Sequence, residues 1–477
     1  MAGRPFIYRF RNDLRLDDHA GLTVAAARGA VVPLLVIDDA LSARLRRSPR
    51  RAAYFCGAAA NLDADLREHG SRLVVRRGAL ESEVLRFAQE SDAAGVAWSA
   101  AYDADGMESD RSLRAALEDL GYAACIVHDA PVIPPEDIAT VRGDDSRGYR
   151  AFAPYFEAWT ARRVKSYESP LLLQFARLQI ESQLLPEAGE FGSSRPADAA
   201  GARRAQHDFD EFLDLRAVEY AARSRVPSAD GTSRLSAHLS FGALSARSVV
   251  RAAAERLANP LAIGEQRRSL RLYLRSLARR DFFAQLSWFN PQTAREALQG
   301  KMQGFPWSRS HPMLDSWRAG TTGFPLVDAG IRQLHETGWM HPHVRSVAAS
   351  LLCFDLGVDW RIGQQEWDRW LIEDDDAAAT GNWQWIAGVG ADMAQFPRIY
   401  NPERQRRRFD PDAIYVRRWV EELRHIPVEA WRGAGGDSRQ LTLALFADRS
   451  YPAPIVDHGR AARHFLRRYR EFVEREN

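Results

Sequence analysis

The feature that most constrains this chain is a change of periodicity along it. Over the first ~130 residues, short apolar runs alternate with helical patterns. Strand signals stand at Phe6–Phe10, Val31–Ile37, Arg72–Val75, Gly95–Trp98 and Ala124–Val127, with helical patterns such as Arg50–His69 and Ser109–Leu120 between them. Apolar strands separated by helices imply a parallel sheet covered on both faces. From residue 203 onward strand signals largely vanish, helical patterns such as Ser236–Arg247 and Gly323–Thr337 take over, and most of the 13 tryptophans appear. Between these regions lie PVIPPEDIATVRGDDSRGYR and LLPEAGEFGSSRPADAAG, rich in turn formers, with one short helix near Ala151–Arg163. The pattern predicts an α/β N-terminal domain with a Rossmann-like parallel sheet over 1–130. A surface connection over 131–202 and an all-α C-terminal domain over 203–477 follow.

Composition narrows the class. No run of about 18 apolar residues is present, so no membrane span is expected. The N-terminus lacks the apolar stretch of a secretory signal. The three cysteines, Cys56, Cys125 and Cys353, are far apart, which disfavours a disulfide framework, a zinc site or an iron–sulfur cluster and fits a reducing cytoplasm. A net charge of +2 argues against a molecule that is basic all over. Nearly all cations are arginine, only Lys165 and Lys301 being lysine, so a phosphate site would be built from arginine forks.

Three segments carry chemistry. The first, Gly231–Val250, opens Gly-Thr-Ser-Arg-Leu-Ser, which offers backbone N–H groups, hydroxyls and an arginine before a helix. That is an anion seat or, equally, a capped helix with a surface arginine. The second, Gly338–Trp360, reads as a buried helix carrying Arg345 and Asp355. A charge in so apolar a run is paired or bound to an anion, and an arginine held by Asp355 while facing a phosphate satisfies both. The third, Leu371–Pro411, places Asp374, Asp375 and Asp376 after Glu373, then small residues and Trp-Gln-Trp. No histidine lies close in sequence to complete a metal site, which leaves a solvated turn or a carboxylate facing a ring N–H of a flat heterocycle.

These three segments, in this order, resemble the FAD-binding core of the photolyase/cryptochrome family. The opening YRFRNDLRLDDHAGLTVAAARG and the later SRGYRAFAPYFEAW are similar to it as well, so the resemblance covers nearly the whole chain. It implies FAD in the helical domain. Tyr220 and Thr232 match the start of the flavin-binding set, and Thr232, Ser233, Arg234, Leu235 and Ser236 match the phosphate-binding turn. Arg280 and Arg345 match arginines near the cofactor, with Asp355 pairing Arg345. Glu373 and Asp375, flanking Asp374, fall where the family has Asp-x-Asp, and Ala379 stands in place of the asparagine that faces flavin N5. Trp383, Trp360 and Trp307 match a chain of indoles that passes an electron to the excited flavin.

The substrate side departs from the family. Photolyases that split cyclobutane pyrimidine dimers carry a glutamate and a tryptophan where Ser276 and Arg279 stand, and Asn-Arg where Pro342 and His343 stand. A methionine is replaced by Ser346. The two histidines used by (6-4) photolyases are missing, and His341 and His343 are out of register for that role. Only Trp385 and Gln405, on the rim of the family's lesion pocket, agree. A second, light-harvesting chromophore is common in the family, but no residues for it are assigned near Tyr102–Arg111. The resemblance implies light-driven electron transfer, with damaged or single-stranded DNA or a signalling partner as its target. Four activities follow: a carbon–carbon lyase of the photolyase kind, a related flavoenzyme with another substrate, a cryptochrome-like receptor, or a light-independent FAD enzyme. An adaptor without flavin is the unrelated alternative.

Overall fold

The computed structural model describes residues 4–142, 145–167, 174–176, 180–195, 200–392, 397–432 and 451–476. Parts of the two turn-rich stretches, at 143–144 and 196–199, therefore lie outside the described residues. The chain forms two compact units. The first comprises Met1–Val218, Ser233–Ala294 and Ile372–Ala378; the second comprises Glu219–Thr232, Arg295–Leu371 and Ala379–Asn477. This division follows contact, whereas the segments 1–130, 131–202 and 203–477 follow composition.

The first unit is built on a five-stranded parallel sheet: β1 (Phe6–Phe10), β2 (Val31–Ile37), β3 (Val74–Arg77), β4 (Gly95–Ser99) and β5 (Ala123–Val127). Their order is β3-β2-β1-β4-β5. Every residue of β1, β2 and β4 is buried, as apolar strands covered on both faces must be. The register pairs Phe6 with Val31 on one side and with Gly95 on the other. Pro33 sits inside β2 without breaking it, because pairing with β3 begins only at Leu34. Crossover helices follow the expected positions, among them Pro49–Glu68, with Ser48 as N-cap and proline in the first turn, and Ala104–Asp119, capped by Asp103. The order of strands reverses between β1 and β4, and the carboxyl ends there form the crevice typical of doubly wound sheets. The helices Ala246–Ala258 and Gly264–Phe289 also belong to this unit.

The second unit is helical among its described residues. Its core gathers Trp317, Trp360, Trp367, Trp383 and Trp431 with Leu326, Leu352 and Phe354. Two helices expected from sequence are interrupted. Ser236–Arg247 is two pieces, Ser236–Ser240 and the start of Ala246–Ala258, because Gly242 takes φ +60° against the backbone of Asn12 and Asp13. Gly338–Trp360 becomes Pro342–Ser350, a wider π-type turn over Leu351–Asp355, and a new helix starting at Trp360. No described helix is long and apolar enough to cross a membrane.

Candidate functional site

In the first unit, chemistry collects at the carboxyl ends of the strands. Beyond β1, the Asp13 carboxylate accepts hydrogen bonds from the Tyr8 hydroxyl and the Ser99 hydroxyl, both at 2.5 Å. Deeper, Asp129 receives Arg15 at 2.7 Å and Arg247 at 2.8 Å. Burial opposes the Asp129 charge, but the two guanidiniums override it and hold the carboxyl well below the usual range.

The acidic run Glu373–Asp376 enters this region. Asp374 is buried, and its oxygens meet Arg44 at 3.0 Å, Arg51 at 3.5 Å and the Asn12 amide at 3.4 Å, while its own N–H donates to Ser240 Oγ at 3.1 Å. Burial resists ionisation of Asp374, yet Arg44 and Arg51 keep its carboxyl below the ordinary value. Asp374 is among the cofactor-binding positions that the resemblance suggests, and both of its carboxylate oxygens are engaged by Arg44, Arg51 and Asn12.

Arg280 is likewise committed. Its guanidinium donates to the carbonyls of Ala130 at 2.8 Å and Leu239 at 3.2 Å, and its Nε lies 3.3 Å from Asp375. Together Arg280 and Asp375 form a polar wall of a cavity of about 80 Å³, also lined by Arg44, Tyr102, Asp374 and Asp376. Asp376 is 3.6 Å from Arg44, so the run is an ion-paired cluster rather than a metal cage. Among the described residues no group of histidine, cysteine, aspartate and glutamate is placed to hold a metal.

The turn Ser233–Ser236 fits a phosphate by its backbone. Arg234 takes φ +55°, and Leu235 follows at φ −81°, ψ 4°. Left-handed then right-handed residues turn successive N–H groups to one side, which makes an anion-binding nest. Arg234 and Ser236 are exposed and Leu235 is buried beneath them. The helix that follows has only five residues and is held by His238, which contacts Tyr54 at 2.6 Å and Asp208 at 3.1 Å. What the turn offers an anion is therefore the nest rather than a long helix's field. Ser236 Oγ lies 3.5 Å from Glu373 Oε2, which brings the turn beside the acidic run.

In the second unit, Gly231 packs against the backbone of Arg223, where a Cβ would stand 2.6 Å from a carbonyl carbon. Thr232 is buried and Tyr220 half-buried. Arg345 donates from Nε to the Met340 carbonyl at 2.8 Å. The expected Arg345–Asp355 pair is not formed. Asp355 instead contacts His458 at 2.6 Å, at the start of the helix His458–Glu476. Burial pushes the Asp355 carboxyl up, and His458 opposes the rise. The wider turn over Leu351–Asp355 carries Asp355 to His458, 103 residues on.

The tryptophans of this unit pack in a way only partly expected. Trp383 is buried and meets Trp367 at 4.5 Å between ring centroids, and Trp367 stacks on Trp317 at 5.9 Å. Gly363 makes room, since a Cβ there would lie 2.3 Å from Trp383 Cη2. Trp360 is buried with the Arg361 guanidinium 4.5 Å over its ring, and Trp307 stacks on Phe465 at 5.7 Å. Trp360, Gly363 and Trp367 are the buried residues of one helix at helical spacing, a signal that could have revealed Trp367. Gln384 of Trp-Gln-Trp is structural: its amide bridges the Glu296 carbonyl at 2.8 Å and the Leu298 N–H at 3.0 Å. Ala379 is half-buried on the same helix.

The diverged positions fall in both units. In the first, the Ser276 hydroxyl donates back to the Tyr273 carbonyl at 2.6 Å, and Arg279 lies 4.9 Å over the Phe152 ring. In the second, Pro342 opens the helix Pro342–Ser350, and Ser346 Oγ turns back to the Pro342 carbonyl at 3.3 Å. His343 Nε2 lies 3.0 Å from Gln405 Oε1, and its ring meets Phe409 at 4.3 Å. Burial holds the imidazole down at about 4, so it is neutral at pH 7 and donates to Gln405. Trp385 is half-buried.

Comparison with known proteins accounts for most of the chain. Residues 6–171 match the family model described as DNA photolyase, and residues 273–471 match that of the FAD binding domain of DNA photolyase. The deoxyribodipyrimidine photo-lyase of Streptomyces griseus is 35% identical over 467 residues, 96% of this chain and 97% of that one. A bacterial class III photolyase from Agrobacterium tumefaciens superposes with a TM-score of 0.86 at 28% identity, covering 99% and 98% of the two chains. An archaeal photolyase from Sulfolobus tokodaii, solved with two FAD molecules, gives 0.83 at 26%, covering 98% and 100%.

Proposed function

The chain belongs to the photolyase/cryptochrome family, and from that premise we propose a blue-light electron-transfer flavoprotein whose substrate pocket has been rewritten. FAD is the cofactor of the family's helical domain; when bound it supplies a light-absorbing one-electron carrier. The Ser233–Ser236 nest, with the exposed Arg234, would hold its phosphates, and Glu373 and Arg345 would contribute polar groups. Trp383, Trp360 and Trp307 would deliver the electron. Indole is readily oxidised, and the Trp383 ring already rests on another indole at 4.5 Å.

The observation that carries the rewritten pocket is the pair Ser276 and Arg279. A dimer-splitting pocket uses a carboxylic acid to hold the thymine edges and an aromatic wall to stack flipped bases. Here the serine hydroxyl is turned onto its own helix, and the arginine lies on Phe152. Neither replaces the lost group. Base–aromatic stacking is worth roughly 1–3 kcal/mol per base, so ordinary cyclobutane dimer repair is expected to be weak. A receptor or another acceptor then follows.

One observation favours a second reading, a working deoxyribodipyrimidine photolyase with a rebuilt pocket. The neutral His343 holding Gln405 supplies a polar pair where Asn-Arg is lost. The cavity of about 80 Å³ at the carboxyl ends of the sheet is too small for a second flavin unless Arg44 and Asp374 move. The deciding experiment uses pre-reduced FAD-loaded protein under blue light with a dimer-containing single-stranded oligonucleotide. Flavin photochemistry without repair supports the rewritten pocket; turnover matching a standard photolyase selects the second reading.

A further inference from the structure

A second cavity of the first unit, about 220 Å³, shares no lining residue with the acidic cluster. Its floor is Pro131, Val132 and Ile133, all buried. The floor is fixed from below, where Asp281 accepts the N–H of Val132 at 2.8 Å and the indole N–H of Trp159 at 2.9 Å. At its mouth stand three cations within four positions of sequence, Arg162, Arg163 and Lys165, all exposed.

These cations differ from the other arginine on the cavity wall. Arg247 is spent on Asp129 and Asp18. The Arg162 and Arg163 guanidiniums make no ion pair or side-chain hydrogen bond among the described residues. Among the described residues Lys165 has only Asp137, 3.9 Å away, and both side chains are more than half exposed. Like charges gathered at one mouth repel one another and attract a concentrated anion. The loop bearing them is tied down. The Lys165 carbonyl accepts from Arg251 at 2.8 Å, the Tyr167 N–H donates to Asp18 at 3.0 Å, and the Tyr167 ring covers Arg247 at 4.8 Å. A loop anchored at its backbone, with its charged side chains left open, is preorganised to bind.

We propose that this cavity binds a mononucleotide-sized anion, a flat heterocycle bearing a phosphate monoester. The phosphate lies across Arg162, Arg163 and Lys165, where two guanidinium forks and an ammonium match its three oxygens. The ring lies on Pro131–Ile133 beside Tyr167. Size sets the class: 220 Å³ is below the range of pockets that enclose larger ligands, so a dinucleotide does not fit inside. A nucleic-acid strand would need cations spread along a groove, and these three cluster within four positions on one cavity. The inference stands apart from the flavin reading, because no residue proposed for FAD takes part.

The test is calorimetric titration of FAD-loaded protein with adenosine 5′-monophosphate, the flavin absorbance being followed to show that FAD stays bound. One-to-one binding is expected, weakened at least ten-fold in R162A/R163A and at least ten-fold for adenosine or inorganic phosphate alone. K165A should weaken it a few-fold. These side chains are exposed, so the variants should melt at the parent temperature, which a thermal scan checks. Absence of AMP binding overturns the proposal, as does binding unchanged in R162A/R163A. Inorganic phosphate binding as tightly as AMP would remove the ring seat. Displacement of AMP by a single-stranded oligonucleotide that binds more tightly through the same arginines would make the surface a nucleic-acid contact instead.

Discussion

The two units solve the same problem, holding functional groups in place, by opposite means. The first uses buried charge: Asp129 between Arg15 and Arg247, and Asp374 between Arg44 and Arg51. The second uses aromatic packing and tolerates polar loss. The indole N–H groups of Trp360, Trp367 and Trp431 are buried with no hydrogen-bond partner among the described residues. Each such orphan costs roughly 1–3 kcal/mol. The first unit has orphans too, the buried Nε atoms of Arg51 and Arg247 among them, but they belong to guanidiniums whose other nitrogens are ion-paired, whereas each indole has one N–H and loses it outright. Under the proposed function, electrostatics in the first unit would orient the cofactor's phosphates and the rings of the second would carry charge.

The sharpest break between the units is expected in Asp129→Asn. It leaves the buried Arg15 guanidinium without its counter-charge and Arg247 with Asp18 alone, and should cost about 3–5 kcal/mol in urea unfolding. Trp360→Phe in the second unit removes an N–H that has no partner, and its cost should be clearly smaller. Equal losses would end the comparison.

Acid should act on the units with opposite sign, by about 3 kcal/mol each. Burial raises the Asp281 carboxyl to about 6 from an ordinary 3.8. The folded state therefore holds the proton more tightly, and this contribution is full below 3.8 and lost as pH rises through 6. The His343 imidazole is lowered to about 4 from 6.5. Its contribution is full above 6.5 and lost as pH falls through 4. Unfolding free energies between pH 4 and 7 should show D281N losing more stability on acidification than the parent and H343Q losing less. Parallel curves would refute both assignments.

Cofactor retention should follow the first unit. Arg234→Ala removes a charge-assisted phosphate contact worth about 1.5–3 kcal/mol, measured as faster FAD release on dilution. Photoreduction per bound flavin should not change. Trp383→Phe should do the converse: FAD stays, while photoreduction with a thiol reductant slows at least ten-fold. Trp367→Phe is the finer probe. A slowing close to that of Trp383→Phe would mean that the electron reaches Trp383 through the ring contact seen here instead of through Trp360.

What the sequence revealed follows the range of the forces involved. β1 and β2 were legible to the residue, because a strand buried on both faces leaves a continuous apolar run. The family resemblance located the Ser233–Ser236 turn, whose backbone signal is local. Long-range pairing was not legible. Asp355 looked like the partner of Arg345 because both lie in one apolar segment, but a widened turn redirects it to His458. Asp374 looked like its neighbours until the structure placed Arg44 and Arg51 around it. The break at Gly242 was equally hidden, since the close approach that requires it comes from Asn12 and Asp13.

The short segment Ile372–Ala378 belongs to the first unit although the chain on either side of it belongs to the second. During synthesis, the ribosome must therefore add 84 residues after Ala294 (378 − 294) before that segment is complete. At translation speeds of about 5–20 residues per second this is a wait of roughly 4–17 s. Until Asp374 emerges, Arg44 and Arg51 have no carboxylate from it. The nascent sheet domain is left with a vacancy that only late-made chain can fill. A fragment cut before residue 372 carries that vacancy permanently, so the N-terminal half should be a poor candidate for independent expression and a natural client for chaperones.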